Sequence, residues 1–148
     1  MEEMMRNALN KLSLLKCKRG LAALEFVILA PALLALAFGI IIYSIYFSAL
    51  IGVRQAAAEG ARAAVAGLST SERIELAETR AKEVVAGYGG ILGGGTTPVV
   101  TASSDGVGVF KVKVSYDMGG SPIMKYGKFV PLPSPDLEAS VVVTNGGY

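Results

Sequence analysis

The longest apolar run of the chain, Phe26–Val53, reads FVILAPALLALAFGIIIYSIYFSALIGV and contains no charged residue. As an α-helix its 28 residues would measure about 42 Å, more than the roughly 30 Å hydrocarbon core of a bilayer. A buried helix of so small a soluble protein rarely stays apolar on every side for this length. The pattern therefore predicts one transmembrane helix, with Tyr43, Tyr46 and Phe47 forming an aromatic belt near its far end.

Beyond the membrane run the spacing of apolar positions changes twice. Apolar residues first recur at helical spacing over about 70–87, and Ser69 and Glu72 form a capping box at the start of this helix. Apolar and polar residues then alternate, which predicts strands over about 99–103, 107–118 and 137–144. Asp105-Gly106 is a hairpin signal between the first two strands. We therefore expect an α+β fold: a long N-terminal membrane and packing helix, a second amphipathic helix and a small antiparallel sheet.

Two segments of this outward part have no regular pattern. The glycine-rich run 87–95 lacks the Gly-Lys-Ser/Thr ending of a phosphate-binding loop and follows a helix, so we interpret it as a linker. The segment 119–136 contains four prolines and predicts a long loop, a type of segment that often carries function. Its Tyr126 and Phe129 either contact a partner or cover the sheet edge, and we expect the second.

The positive charge is confined to the N-terminal segment. Residues 1–20 carry five Lys or Arg and two Glu, a net charge of +3, whereas the remainder carries nine basic and ten acidic residues, a net charge of −1. A nucleic-acid-binding protein would need a basic face on its folded part, so we expect no nucleic acid partner. Basic residues on one side of the membrane helix predict a cytoplasmic N-terminus and a C-terminal domain outside the cytoplasm.

The composition argues against catalysis and against metal binding. The 148 residues include no His and one Cys, so common triads, zinc sites and internal disulfides are not expected. The acidic residues of the outward part are scattered in the sequence, as with Asp105, Asp117 and Asp136. We therefore predict no enzymatic activity, no catalytic residues, no metal ligands and no cofactor.

Glu25 is an unusual residue because it lies in the apolar stretch that begins at Leu21. An ionised carboxylate costs about 2.5–3.5 kcal/mol at mid-membrane, and less near the interface. It either sits at the headgroup level beside Lys18 and Arg19 or has a functional role. A cleaved secretory signal does not fit, because its apolar region is about half as long as this run.

The segment Gly20-Leu21-Ala22-Ala23-Leu24-Glu25-Phe26 follows the basic leader and opens the apolar helix. This order resembles the prepilin-peptidase site of type IV pilins. The resemblance implies cleavage after Gly20, a new N-terminus at Leu21, and a mature fifth residue, Glu25, that acts in assembly together with Phe26. The Glu25 carboxylate could pair with the N-terminal amine of a neighbouring subunit, so that two charges costly in lipid neutralise each other and set the register.

Two further segments, EFVILAPALLALAFG and QAAAEGARAA, resemble the TadE-like family of the tight adherence (Flp-type) pilus system. The resemblance covers Gly20 to about Gly67. It implies a type IV pilin-like fold and a minor pilin or pseudopilin that acts in pilus assembly and surface adhesion. It also implies four partners: the membrane, prepilin peptidase, other pilin-like subunits and the pilus assembly machinery. The implied location is the bacterial inner membrane, with possible incorporation into the pilus.

Small residues recur every four positions along the second half of the long helix. Such ladders let helix backbones approach closely in membranes, so we expect a helix-packing role. The six positions of the ladder are Ser44, Ser48, Gly52, Ala56, Gly60 and Ala64.

We expect three regions in the chain. They are a leader at 1–20, a transmembrane and extended helix at 21–67 and an outward α+β domain at 68–148. One alternative remains, in which the chain is an unprocessed single-pass anchor whose outward domain binds a ligand or a protein partner through the 119–136 loop.

Overall fold

The computed structural model describes residues 18–89, 96–106 and 108–144, and side-chain environments from residue 21 onward. The regular elements, in chain order, are helix α1 (Lys18–Ala64), helix α2 (Thr70–Gly87), strand β1 (Val99–Ser104), strand β2 (Val109–Asp117), a short 3₁₀ helix (Pro122–Tyr126) and strand β3 (Asp136–Thr144). This is the predicted type IV pilin-like α+β fold, with a long N-terminal apolar helix, a second helix and a small antiparallel sheet.

Helix α1 is continuous over 47 residues and contains Pro31. Its C-terminal end has Arg62 in the last turn, where a cation interacts favourably with the helix dipole. The connection to α2 begins with backbone hydrogen bonds of the tighter i to i+3 type, from Val65 N–H to the Arg62 carbonyl and from Gly67 N–H to the Ala64 carbonyl.

Helix α2 starts at the predicted cap. The Ser69 hydroxyl accepts a hydrogen bond from the Glu72 N–H (3.2 Å), and the Glu72 carboxylate accepts one from the Leu68 N–H (2.9 Å). The carboxylate thus satisfies the residue before the N-cap instead of the cap residue itself. The buried residues of α2 recur at helical spacing and form the face that packs inward. They are Ala77, Ala81 and Val85.

The three strands form one antiparallel sheet in the order β1-β2-β3. Strand β2 is central, and its alternate residues are buried as the alternation predicts: Phe110, Val112, Val114 and Tyr116. The run expected over 107–118 is shorter at both ends. Gly108 has a positive φ of 71°, which interrupts extended backbone, and Met118 leaves the strand and is fully buried. Residue 107 lies outside the described residues.

The turn between β1 and β2 includes the predicted Asp105-Gly106 pair. Gly106 has a φ of 110°, a backbone conformation that glycine adopts readily. The Asp105 N–H donates to the Val109 carbonyl (2.9 Å), so the connection runs from residue 105 to residue 108.

Backbone contacts divide the chain into two compact units, Met1–Ile40 and Ile41–Tyr148. In the second unit, α1 from Ile41 onward packs with α2 and the sheet around two neighbouring apolar clusters. The division falls inside α1, and α1 from Ile41 onward supplies core residues to the second unit, called the folded unit below.

Candidate functional site

The N-terminal part of α1 presents apolar side chains outward along its whole length. Every large apolar residue from Leu21 to Ile41 is at least 54% exposed. Leu21–Ala64 is, within the described residues, the one helix long and apolar enough to cross a membrane. A surface of this kind needs a lipid or protein environment, and it supports anchoring by a single membrane pass.

The predicted processing and assembly residues lie at the start of this exposed region. Gly20 falls within α1, and the side chains of Leu21, Glu25 and Phe26 are all exposed. Leu21 and Glu25 are four residues apart and therefore lie on the same side of the helix, about one turn apart. The arrangement leaves the Glu25 carboxylate accessible to a neighbouring chain.

The small-residue ladder has a different environment in its C-terminal half. Gly52, Ala56, Gly60 and Ala64 are buried, whereas Ser48 is half-buried and Ser44 is exposed. The four buried positions lie in the second compact unit and face other parts of this same chain. Their packing partners are therefore α2 and the sheet, and only the serine end of the ladder lies near the exposed membrane segment.

Two glycines of the ladder are sites of close approach. A Cβ atom on Gly60 would lie 2.8 Å from the carbonyl oxygen of Ala77 and 3.1 Å from the Cβ of Ala81. A Cβ atom on Gly52 would lie 2.8 Å from the ring of Tyr88. A side chain at Gly60 would therefore clash with α2, and a side chain at Gly52 would clash with the ring of Tyr88, the residue that follows α2.

Polar residues beside the ladder connect the same two helices. Glu59 pairs with Arg62 at 2.8 Å within α1 and lies 3.9 Å from Arg80 of α2. The Tyr88 hydroxyl donates a hydrogen bond to the Gln55 side chain. The Glu-Gly-Ala-Arg segment thus has a structural role here, in which the glycine admits α2 and the glutamate interacts with it.

Two tyrosines of α1 bind the segment 119–135 between β2 and β3, which contains four prolines and is called the proline-rich loop. The Tyr43 hydroxyl donates to the Pro131 carbonyl, and the Tyr46 hydroxyl donates to the Ser134 carbonyl at 3.4 Å. The sequence predicted both tyrosines as part of an aromatic belt, but it gave no sign that their hydroxyls bind a loop 88 residues away. No local pattern carries this information, since the partners are backbone carbonyls.

The acidic residues of the outward part are closer in the fold than in the sequence. Asp117 and Asp136 are directly paired across β2 and β3, and Glu138 forms an ion pair with Lys113 at 2.8 Å. Across the described residues, no group of three or more His, Cys, Asp or Glu side chains is arranged to hold a metal ion.

The exposed apolar helix and the folded unit that begins within it define a membrane-anchored, pilin-like α+β protein. The family model described as TadE-like protein matches residues 20–62, which are 43 of the 148 residues. The TadE-like assignment made from the residues is thereby confirmed for this segment, and the family is a structural, pilin-like one. No curated protein and no solved structure shows significant similarity to the chain.

Proposed function

We propose that this chain is a minor pilin or pseudopilin of a tight adherence (Flp) type IV pilus system, acting in pilus assembly and surface adhesion. The observation that carries the proposal is the TadE-like match over residues 20–62, which starts at the glycine of the processing pattern. The exposed apolar surface of the same segment supports it, because subunits that assemble through their N-terminal helices need that surface free.

In this proposal the precursor is inserted in the inner membrane with its N-terminus in the cytoplasm. Prepilin peptidase cleaves after Gly20 and creates an α-amino group on Leu21. The Glu25 carboxylate then pairs with the amine of a neighbouring pilin-like subunit, and Phe26 packs beside it. Pairing offsets the cost of two charges in an apolar environment and fixes the axial register between helices.

N-terminal sequencing of the membrane-bound protein tests the processing step. In cells with an active prepilin peptidase we expect a sequence that begins at Leu21, and in cells lacking the peptidase the leader remains. An intact leader in both strains contradicts the pilin proposal. It would favour the alternative of an unprocessed single-pass anchor with a ligand-binding or partner-binding outward domain.

Substitution of Glu25 tests the assembly step separately. Glu25→Gln keeps the size of the side chain and removes its charge, so we expect normal membrane insertion and loss of pilus assembly. Glu25→Asp keeps the charge and serves as the matched control, with assembly largely retained. The readouts are membrane fractionation and pilus counts by electron microscopy, and normal piliation of Glu25→Gln would remove the proposed role.

A further inference from the structure

The proline-rich loop of the folded unit carries exposed aromatic residues beside lysines. Phe129 is 83% exposed and Tyr126 is 54% exposed, so neither covers the sheet edge as the sequence suggested. Lys125 and Lys128 are exposed next to them. The segment 119–135 contains no Asp or Glu, and the nearest carboxylates, Asp117 and Asp136, are farther along the chain from Phe129 than either lysine.

The two tyrosine hydrogen bonds determine the direction in which this loop runs along α1. Ser134 is bound to Tyr46, and Pro131 is bound to Tyr43, which is three residues (about 4.5 Å) closer to the N-terminal end of the helix. Read backward from Ser134, the loop therefore runs from Tyr46 to Tyr43, in the N-terminal direction of α1. Phe129 is the second residue before Pro131.

The segment that carries Phe129 is held in a compact turn. The N–H groups of Phe129 and Val130 both donate to the Tyr126 carbonyl, at 2.9 and 3.1 Å. On the inner side of the loop, Ile123 is buried in the core and Met124 and Leu132 pack against it. Most large apolar side chains of the loop are therefore packed against the core, whereas Tyr126 and Phe129 are exposed.

The position of the bilayer follows from the sequence of α1 itself. The uncharged run starts at Phe26, and about 20 helical residues cross the hydrocarbon core, which places the outer boundary near Ile45. Tyr43 and Tyr46 lie at this level, where tyrosine is enriched in membrane proteins. By this count, the two hydroxyls that bind the loop fall near the headgroup level.

We propose that this loop is a second membrane contact, whose occupant is an anionic lipid surface. Phe129 and Tyr126 enter the boundary between headgroups and acyl chains, and Lys125 and Lys128 bind lipid phosphates. Amphipathic segments that combine aromatic and basic residues bind membrane interfaces through these two contributions. The contact holds the folded unit against the bilayer. It rests on the membrane insertion of α1 and does not depend on cleavage after Gly20.

A tryptophan probe tests this contact, because the chain contains no native Trp. The full-length Phe129→Trp protein is reconstituted in phosphatidylglycerol vesicles that contain nitroxide lipids labelled at a shallow acyl position. We expect blue-shifted emission and quenching several-fold stronger than for Leu68→Trp, a control at a 95% exposed apolar position beyond the end of α1. Leu34→Trp, within the apolar run, reports whether the helix is inserted.

The controls separate the possible failures. Quenching of Leu34→Trp without quenching of Phe129→Trp overturns the proposed contact while the anchor stands. Blue-shifted emission of Phe129→Trp without lipid quenching indicates burial against protein and also overturns it. The proposed pilus function is tested independently by the N-terminal sequence, which this experiment does not read.

Charge reversal tests the contribution of the lysines. In the Phe129→Trp background, Lys125→Glu with Lys128→Glu is expected to reduce quenching in phosphatidylglycerol vesicles to the level seen in phosphatidylcholine vesicles. A matched pair on the sheet, Lys111→Glu with Lys113→Glu, is expected to leave the quenching unchanged. Equal quenching of the Phe129→Trp protein in both lipids contradicts binding of lipid phosphates by the lysines.

Discussion

At the scale of single residues, the absence of a side chain determines how the long helix packs. Gly60 faces the backbone of α2, and a Cβ atom at this position would lie only 2.8 Å from the Ala77 carbonyl oxygen. Gly87, at the end of α2, has open space at the same position. The two glycines therefore differ in their tertiary environment, although both are helical.

We expect Gly60→Ala to lower the free energy of unfolding, by an amount on the order of 1 kcal/mol. Alanine favours a helix over glycine by about 1 kcal/mol, so helix propensity alone predicts the opposite sign. Thermal unfolding of the full-length protein in detergent, followed by circular dichroism, measures the change. Gly87→Ala is the control and should be neutral or stabilising, and a stabilised Gly60→Ala protein would contradict the close contact.

At the scale of elements, short local interactions set the start of α2 and the position of the proline-rich loop. Helix α2 begins at a cap in which the Ser69 hydroxyl accepts from the Glu72 N–H and the Glu72 carboxylate accepts from the Leu68 N–H. The loop depends on hydroxyl groups of α1, which bind the carbonyls of Pro131 and Ser134. The interactions made by the Ser69, Tyr43 and Tyr46 hydroxyls can each be removed by deleting a single oxygen atom.

Ser69→Ala should destabilise the folded unit by about 1 kcal/mol, because the Glu72 N–H loses its partner at the helix start. Denaturant unfolding of the full-length protein in detergent measures this difference. Thr70→Ala changes the next residue, which is exposed, and should have little effect. Equal destabilisation by both changes would show that the cap is not responsible.

Tyr43→Phe should loosen the proline-rich loop while keeping the aromatic ring of the membrane belt. Loss of a hydrogen bond worth about 1 kcal/mol makes local opening of the loop roughly fivefold more favourable. Amides that exchange through this opening should exchange faster by the same factor. Hydrogen exchange read by mass spectrometry should show this change over residues 122–135 and not over β2. Tyr126→Phe, at an exposed position in the loop, is the control.

At the scale of the whole molecule, α1 combines two functions of different physical origin. Its N-terminal part exposes apolar side chains of all sizes, which suits lipid or other helices. From Ile41 onward it contributes small and apolar residues to the core of the folded unit. The helix is thus both the proposed anchor and a structural part of the outward domain.

Removal of the leader should reverse the sign of the net charge. The precursor has a formal charge of +2, and the segment 1–20 carries +3, so the processed chain carries −1. We expect the membrane-bound form to focus at a lower pH than the precursor from cells lacking the peptidase. Two-dimensional electrophoresis of the two strains measures the shift, and identical focusing positions would argue against cleavage.

The local patterns of the sequence determined the membrane helix, the start of α2 and the alternation of β2. These features depend on residues within a few positions of each other, so hydrophobic spacing and capping chemistry suffice to predict them. The TadE-like resemblance also rests on contiguous residues, and the family match covers the same segment.

Only the tertiary structure decided what the small-residue ladder and the proline-rich loop contact. Gly60 meets Ala77, Gly52 meets Tyr88, and Tyr43 meets Pro131. A ladder of small residues has the same spacing whether the second helix belongs to another chain or to this one. The choice depends on contacts between residues distant in sequence, and these form only when the α2 and sheet segments fold back onto α1.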